Sequence, residues 1–326
     1  MEELSNLNWI LDLLRSGIRL TTPILLAALG GAISNQAGVL NFALEGKMLL
    51  GAFLGITSAF WLQSTELGVC VAALSGIMIG FLFAVLYIKY NVNLIILAIA
   101  LNLLIAEGTV FILRTTFGNL GTWSDPSIRQ LPDIHLGLIE KIPFFGPLIS
   151  GYNIIVYISW IVALGLYILL FHTKFGRHVR AVGKNQDAAE ALGINVRRVK
   201  FFSLMLGGAL AALGGAFLSV GHLTLFTRDM SNGRGWIGVS AALFGFNHPI
   251  GVFFSSLLFG MANALAVRLQ MVTQIPPSLI QFFPNAMAIL ALVLVALKDK
   301  WREALNRKNI LKTLRKTSVK DREVSQ

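Results

Sequence analysis

Residues 26–32 read Leu-Ala-Ala-Leu-Gly-Gly-Ala, and residues 210–216 read the same seven letters again. Each copy sits inside a long apolar run, 18–33 for the first and 201–221 for the second. A helix needs about 20 such residues to cross about 30 Å of hydrocarbon. Further runs of this kind lie at 42–61, 67–87, 94–113, 154–171, 250–269 and 279–297, which makes eight candidate spans. A ninth piece, 235–246, is apolar but too short to cross. It reads as a half-helix or re-entrant element, tolerated only where protein or a cavity surrounds it.

Composition points the same way. Hydrophobic residues make up 55% of the chain and charged residues 13%, against about a quarter charged in an ordinary soluble domain. The expected fold is therefore an all-α polytopic membrane protein. It divides into an N-terminal segment (1–17), a membrane domain (18–297) that contains a cytoplasmic loop (172–200), and a basic tail (298–326). The one cysteine, Cys70, lies inside an apolar run, which excludes a disulfide framework or a Cys-rich metal site. The N-terminus carries Glu2 and Glu3 and no early basic residue, unlike the start of a cleavable signal peptide.

A net charge of +11 could suggest a nucleic-acid partner, but its placement speaks for orientation. Seven Lys and Arg residues fall in 172–200 and ten more follow Leu297, where a positive-inside bias puts cytoplasmic segments. The stretch 114–150 then lies outside. It carries three basic and three acidic residues and four prolines, Pro126, Pro132, Pro143 and Pro147, which suit a surface cap. Parity closes if the N-terminus is outside and the 235–246 piece returns inward.

By that count the two seven-residue copies cross in opposite directions. Each is followed by a glycine-containing break and a related phrase: Ala43-Leu44-Glu45-Gly46 with Gly51-Ala52-Phe53, and Ala242-Leu243-Phe244-Gly245 with Gly251-Val252-Phe253. The expectation is an inverted-topology repeat with a transport site where interrupted helices meet. Chance is the competing reading, because Ala, Leu and Gly are common in membrane helices.

Several motifs bear on chemistry. Gly46-Lys47 invites a phosphate-loop reading, which requires a Gly five residues earlier and a Ser or Thr next. Asn41 and Met48 stand there instead, so this chain has no Walker A loop. Glu45 and Lys47 fall at membrane depth, where unpaired charges are costly and mark function by default. Two structural readings stand beside that one: Lys47 snorkels from an interfacial start with Glu45 in water, or Glu45 bonds free backbone N–H groups at the helix break. Asn41, Phe42, Glu45, Asn102 and Trp236 form the candidate substrate pathway, with Phe42, Trp236 and Asn102 suited to stack on or hydrogen-bond a base or sugar.

In the basic loop, Asn185 is placed to cap a short helix, Asp187 to meet its positive end, and Gly193 to stop it. Ala188, Ala191 and Leu192 share one small apolar face. Such a helix could lie on lipid headgroups or dock in a groove on a soluble partner. Its small face makes a poor lipid anchor and favours the partner. The five histidines, His135, His172, His178, His222 and His248, fall in loops or at helix ends without metal-ligand spacing or a nucleophile motif, so an intramembrane enzyme ranks last.

The phrase at 41–53, the loop at 175–194 and the run at 207–216 resemble the permease subunits of bacterial ABC importers, in the branched-chain amino acid, ribose and nucleoside class. The likeness spans about 21–297 and is best to permeases for nucleosides and simple sugars. It implies that 185–193, with Asn185, Asp187, Ala188, Ala189, Leu192 and Gly193, is a coupling helix seated in the groove of a separate ATP-binding subunit. It also implies a path lined by the breaks at 41–45 and 235–246, a second homologous permease, a substrate-binding lipoprotein or periplasmic protein, and multi-pass residence in the bacterial cytoplasmic membrane among lipid. No cofactor of its own is expected, since ATP would bind the partner. Lys47 departs from the family pattern, in which an apolar residue is usual. The alternative, an ion-coupled secondary transporter, would want acidic residues deep in several helices, and Glu45 is the one candidate. On the coupling-helix reading, Ala189→Arg or Leu192→Asp should detach the ATPase.

Overall fold

The computed structural model describes residues 7–118, 121–135, 137, 140, 145–272 and the isolated positions 286, 290, 293 and 297. Apolar chain removed from water must satisfy its backbone N–H and C=O groups within each segment, and helices do so. The order is α1 (Leu7–Gln36), α2 (Leu44–Leu62), α3 (Thr65–Ala84), α4 (Leu94–Phe117), α5 (Phe145–Ile149), α6 (Ile154–His172), α7 (Lys174–Lys184), α8 (Gln186–Ala191), α9 (Val196–Ala216), α10 (Arg234–Phe244) and α11 (Pro249–Val272). Wider π-type turns extend α3 over Val85–Lys89 and α9 over Phe217–Leu223.

Among the described residues, six helices are long and apolar enough to cross a membrane: Trp9–Gln36, Thr65–Lys89, Leu94–Phe117, Ile154–His172, Val196–Leu223 and Pro249–Gln270. The count of eight is not reached for two reasons. The 42–61 run does form α2, but Glu45 and Lys47 sit in its first turn, and it is not among the six. The 279–297 run lies outside the described residues apart from scattered positions. The first helix also begins at Leu7, well before residue 18, because Leu7, Trp9, Ile10 and Leu11 continue its apolar pattern past Asp12. The short piece is α10, of 11 residues, about 16 Å at 1.5 Å per residue.

Helix starts follow local chemistry. Ser64, Asn93, Asn153, Thr173, Asn185 and Asn195 precede α3, α4, α6, α7, α8 and α9, and each side-chain oxygen accepts from a first-turn amide. The loop expected to hold one helix holds two, since α7 precedes α8. Gly176 of α7 packs against the Leu169 and Leu170 carbonyls of α6, where a Cβ would collide.

The interior is built by close backbone approach. α1 and α9, which carry the two Leu-Ala-Ala-Leu-Gly-Gly-Ala copies, cross antiparallel. Gly30 meets Gly207 at one end of the contact, and Gly214 meets Pro23 at the other. Gly208 faces Gly76 of α3 in the same manner, backbone against backbone. Small residues let membrane helices approach this closely, and the packing substitutes for a hydrophobic driving force that lipid does not supply. Around this core, α3, α4 and α6 present Met78, Phe111, Ile161 and Leu164 outward, an apolar belt suited to lipid.

At one end of the bundle the basic helix α7 sits under α1, with Gly183 against Gln36 and Gly38, and α8 follows it. α10 ends there too, because Gln36 Nε2 donates to the Asn247 carbonyl at 3.1 Å. At the opposite end, Arg268 of α11 donates to the Trp9 carbonyl at 3.4 Å. A cap over that end adds two antiparallel pairs of two-residue strands, which the all-α expectation did not include. β1 (Thr122–Trp123) pairs β4 (Phe226–Thr227) in the register Thr122↔Thr227, and β2 (Asp133–Ile134) pairs β3 (Tyr152–Asn153) in the register Asp133↔Asn153. Gly208→Val, which would push α3 from α9, should lower stability by about 1–3 kcal/mol, read as a lower thermal midpoint of the purified protein in detergent.

Candidate functional site

Residues 37–43 leave helical conformation inside the bundle and re-enter it at Leu44. Glu45 occupies the first turn of α2, where a carboxylate favours the positive helix end. Its side chain serves a second helix as well. Oε1 accepts from the Gly233 amide at 2.8 Å, and Oε2 accepts from Gly235 at 2.7 Å and Trp236 at 3.3 Å. α10 has no side-chain cap from its own N-cap, Gly233, whose φ of 77° is left-handed. Glu45 therefore caps it in trans. A Cβ at Gly235 would strike the Glu45 backbone, so the contact requires glycine there. Of the alternatives open in the sequence, the geometry is that of a bond from Glu45 to free amides at a helix break.

Lys47 does not snorkel; it is fully buried. Its ammonium donates to Asn41 Oδ1 at 3.0 Å and lies 4.6 Å from the centroid of the Phe83 ring, a cation–π contact. Asn41 Nδ2 donates to Ser34 Oγ at 3.3 Å, and Ser34 donates to the Gly30 carbonyl at 2.9 Å. This chain of bonds ties the break to α1 and α3. Asn102 of α4 clamps its other side: Nδ2 donates to the Phe42 carbonyl at 3.0 Å, and Oδ1 accepts from the Gly46 amide at 2.9 Å. Asn102 thus holds the backbone of the break, Asn41 joins the Ser34 and Lys47 side chains, and Glu45 holds the start of α10, so the polar atoms of all three are engaged with the protein. Phe42 and Trp236 form a tilted ring pair with centroids 6.3 Å apart, and Trp236 stays 43% exposed. Those two aromatics are the members of the expected path that retain an open face.

Three participants escaped the sequence reading. Ser34 and Phe83 carry no signal beyond ordinary membrane-helix composition. Arg234 did carry one, a charge inside Gly233-Arg-Gly-Trp236 directly before an apolar half-helix. Its guanidinium donates to the Met230 and Ser231 carbonyls at 3.3 and 3.2 Å, and Glu45 lies within its electrostatic reach.

At the basic end, α8 is built as its punctuation suggests. Asn185 Oδ1 accepts from the Ala188 amide at 3.0 Å. Asp187 lies in the first turn, and Gly193 ends the helix at a φ of 79°. Lys200 donates to Gln186 Oε1 at 2.7 Å and braces α8 on α9. The expected apolar face, Ala188, Ala191 and Leu192, points outward, with Leu192 81% exposed. Ala189 points the other way and is buried in the chain's own core.

The model of the family described as "Branched-chain amino acid transport system / permease component" matches residues 13–293. The chain belongs to this permease family. The permease is 32% identical to the nucleoside ABC transporter permease protein NupC of Lactococcus lactis subsp. cremoris (strain MG1363), over 84% of this chain and 89% of the relative. It is 31% identical to the guanosine ABC transporter permease protein NupQ of Bacillus subtilis (strain 168), over 83% and 87%. It is 29% identical to the glucose ABC transporter permease protein TsgB13 of Haloferax volcanii (strain ATCC 29605), over 83% and 73%. No solved structure matches it. It is a multi-pass transport component of an ABC importer rather than an enzyme.

Loss of the trans cap should be measurable. Glu45→Ala leaves the amides of Gly233, Gly235 and Trp236 without their acceptor and should cost about 1–3 kcal/mol. Glu45→Gln keeps one acceptor oxygen and should lose less. Both are read by thermal unfolding of the purified permease, and equal midpoints for wild type and Glu45→Ala would return Glu45 to the role of a free pathway group.

Proposed function

We propose that this permease forms the translocation path of an ATP-driven importer of a nucleoside or simple sugar, with ATP bound and hydrolysed by a separate subunit seated on α8. The cargo class rests on its relatives, whose printed names are those of nucleoside, guanosine and glucose ABC transporter permeases. The path runs past the Phe42–Trp236 pair, where two open aromatic faces suit a base or a sugar ring. The chain works in a cytoplasmic membrane with the basic end inside, supported by the Lys and Arg residues of 172–200. Companion subunits are a second, homologous permease and a substrate-binding protein at the capped end.

An inverted repeat with eight spans, the last at 279–297, accounts for the packing. The antiparallel crossing of α1 and α9 supports it, as does the exchange of neighbours: α1 packs on α11 as α9 packs on α3, and α1 packs on α10 as α9 packs on α2. The phrases after the two copies do not support it. Ala43–Gly46 opens α2, whereas Ala242–Gly245 closes α10.

The observation that carries the coupling is the outward Leu192. A large apolar side chain left 81% exposed on a capped, braced helix fits a protein groove better than bare water. The ion-coupled alternative weakens on Glu45, whose oxygens are occupied by backbone amides.

Leu192→Asp and Ala188→Arg should abolish co-purification of the ATP-binding subunit while the permease still inserts; retained co-purification would remove α8 from the interface. Ala189→Arg is not a clean probe, because it would disrupt α8 packing. Binding assays on the companion binding protein, with nucleosides and sugars side by side, should give one class at least about tenfold tighter. Tight binding of neither class would overturn the cargo assignment.

A further inference from the structure

Charges that cross a membrane are expected in compensated pairs, yet among the described residues ion pairs join only His135 with Glu140 and Arg228 with Glu107. Three arginines in the half of the bundle beneath the cap have no such partner. Arg15 and Arg19 project from α1, and Arg234 opens α10. All three are half-buried. Trp9, held under the Arg268 guanidinium at 5.5 Å from its ring centroid, marks the outer edge, since Trp and Arg gather at membrane–water boundaries. Arg19 is ten residues further along α1, about 15 Å down the axis. It has passed the interfacial zone.

Arg15 and Arg19 share one neighbourhood, and His222 stands between it and Arg234 electrostatically. The Arg15 guanidinium rests against Gly151, and Arg19 lies 5.8 Å from the centroid of the neighbouring Tyr152 ring. His222, stacked parallel on Phe217, is within electrostatic reach of both Arg19 and Arg234. Among the described residues the acid within electrostatic reach of Arg234 is Glu45, whose oxygens already accept from three amides. A guanidinium stays charged at any working pH. Facing lipid at this depth it would be strongly disfavoured, so such residues face the interior or a watered cavity.

We propose that Arg15, Arg19 and Arg234 form a cation-rejecting filter in the outer half of the path, admitting neutral or anionic cargo and blocking protons and metal cations. The filter rests on the conduit reading above. Fixed positive charge with low-dielectric walls raises the local potential and depletes cations, and a pore arginine is a known means of excluding protons. An importer that opens toward its cargo many times needs such a barrier, because a watered path would otherwise short-circuit the membrane potential.

The test uses the assembled importer, this permease with its ATPase and companion subunits, reconstituted in liposomes that hold a pH-sensitive dye. Proton and potassium leak under an imposed inside-negative potential is compared with ATP-driven uptake of nucleoside and glucose in the same vesicles. The R19Q/R234Q double variant should leak about tenfold more than wild type, and R19K/R234K should stay at the wild-type level. Unchanged leak in R19Q/R234Q with uptake retained overturns the filter and leaves the conduit standing. If the double variant fails to assemble, R19Q alone decides, since Arg19 makes a ring contact rather than a structural hydrogen bond; unchanged leak there overturns the filter. Wild-type vesicles that take up neither cargo overturn the conduit reading itself.

Discussion

The carboxylate of Glu45 holds together two helices that both begin inside the bundle. α2 and α10 each present free amides at their N-termini, and those amides need acceptors. Glu45, in the first turn of α2, accepts from Gly233, Gly235 and Trp236 at the start of α10, while Asn102 accepts from the Gly46 amide of α2. The rest of the break is arranged around that contact. Asn102 clamps the entry to α2, Asn41 and Lys47 join it to α1 and α3, and Gly235 leaves room for the Glu45 backbone. The backbone polarity of the break is spent within the protein, while Trp236, paired with the Phe42 ring, keeps an exposed face.

The same economy governs the packing around it. Lipid gives apolar side chains little reason to leave it, so helix association depends on close contact. The glycines at 30, 76, 207 and 208 supply that contact where α1, α3 and α9 cross. A rigid central core then contrasts with the exposed α8, which is held by the Asn185 cap and by Lys200 yet turns Leu192 away from the protein. A helix so attached is tied through Lys200 to α9, and through α9 to the core.

Much of this was legible before any coordinates. Membrane embedding followed from composition, and the capped α8 followed from Asn185, Asp187 and Gly193. The short α10 followed from an apolar run too brief to cross. Beside the span count and helix bounds, three readings of side chains and phrases needed correction. The face of Ala188, Ala191 and Leu192 was rightly grouped, but Ala189 faces inward, because a two-turn helix has only one side free of its own protein. The phrase echo at 43–46 and 242–245 falls on opposite helix ends, since short strings of Ala, Leu and Gly carry no information about capping. Lys47, open to an interfacial reading, is buried, because Asn41 and Phe83 come from segments whose approach no local pattern encodes.

The sequence by itself determined the solvent, the helices and their ends: period, length and capping residues act over one to a few turns, and neighbours along the chain suffice to decide them. Only the tertiary structure decided what the interior charges do. Whether Glu45 is a free acid or a cap depends on amides 188 and 190 residues away. Whether Arg15, Arg19 and Arg234 are scattered charges or neighbours linked through His222 depends on how α1 packs against the approach to α10. Those are questions of distance through space, and burial raises their energetic weight because an interior of low dielectric screens charge so little.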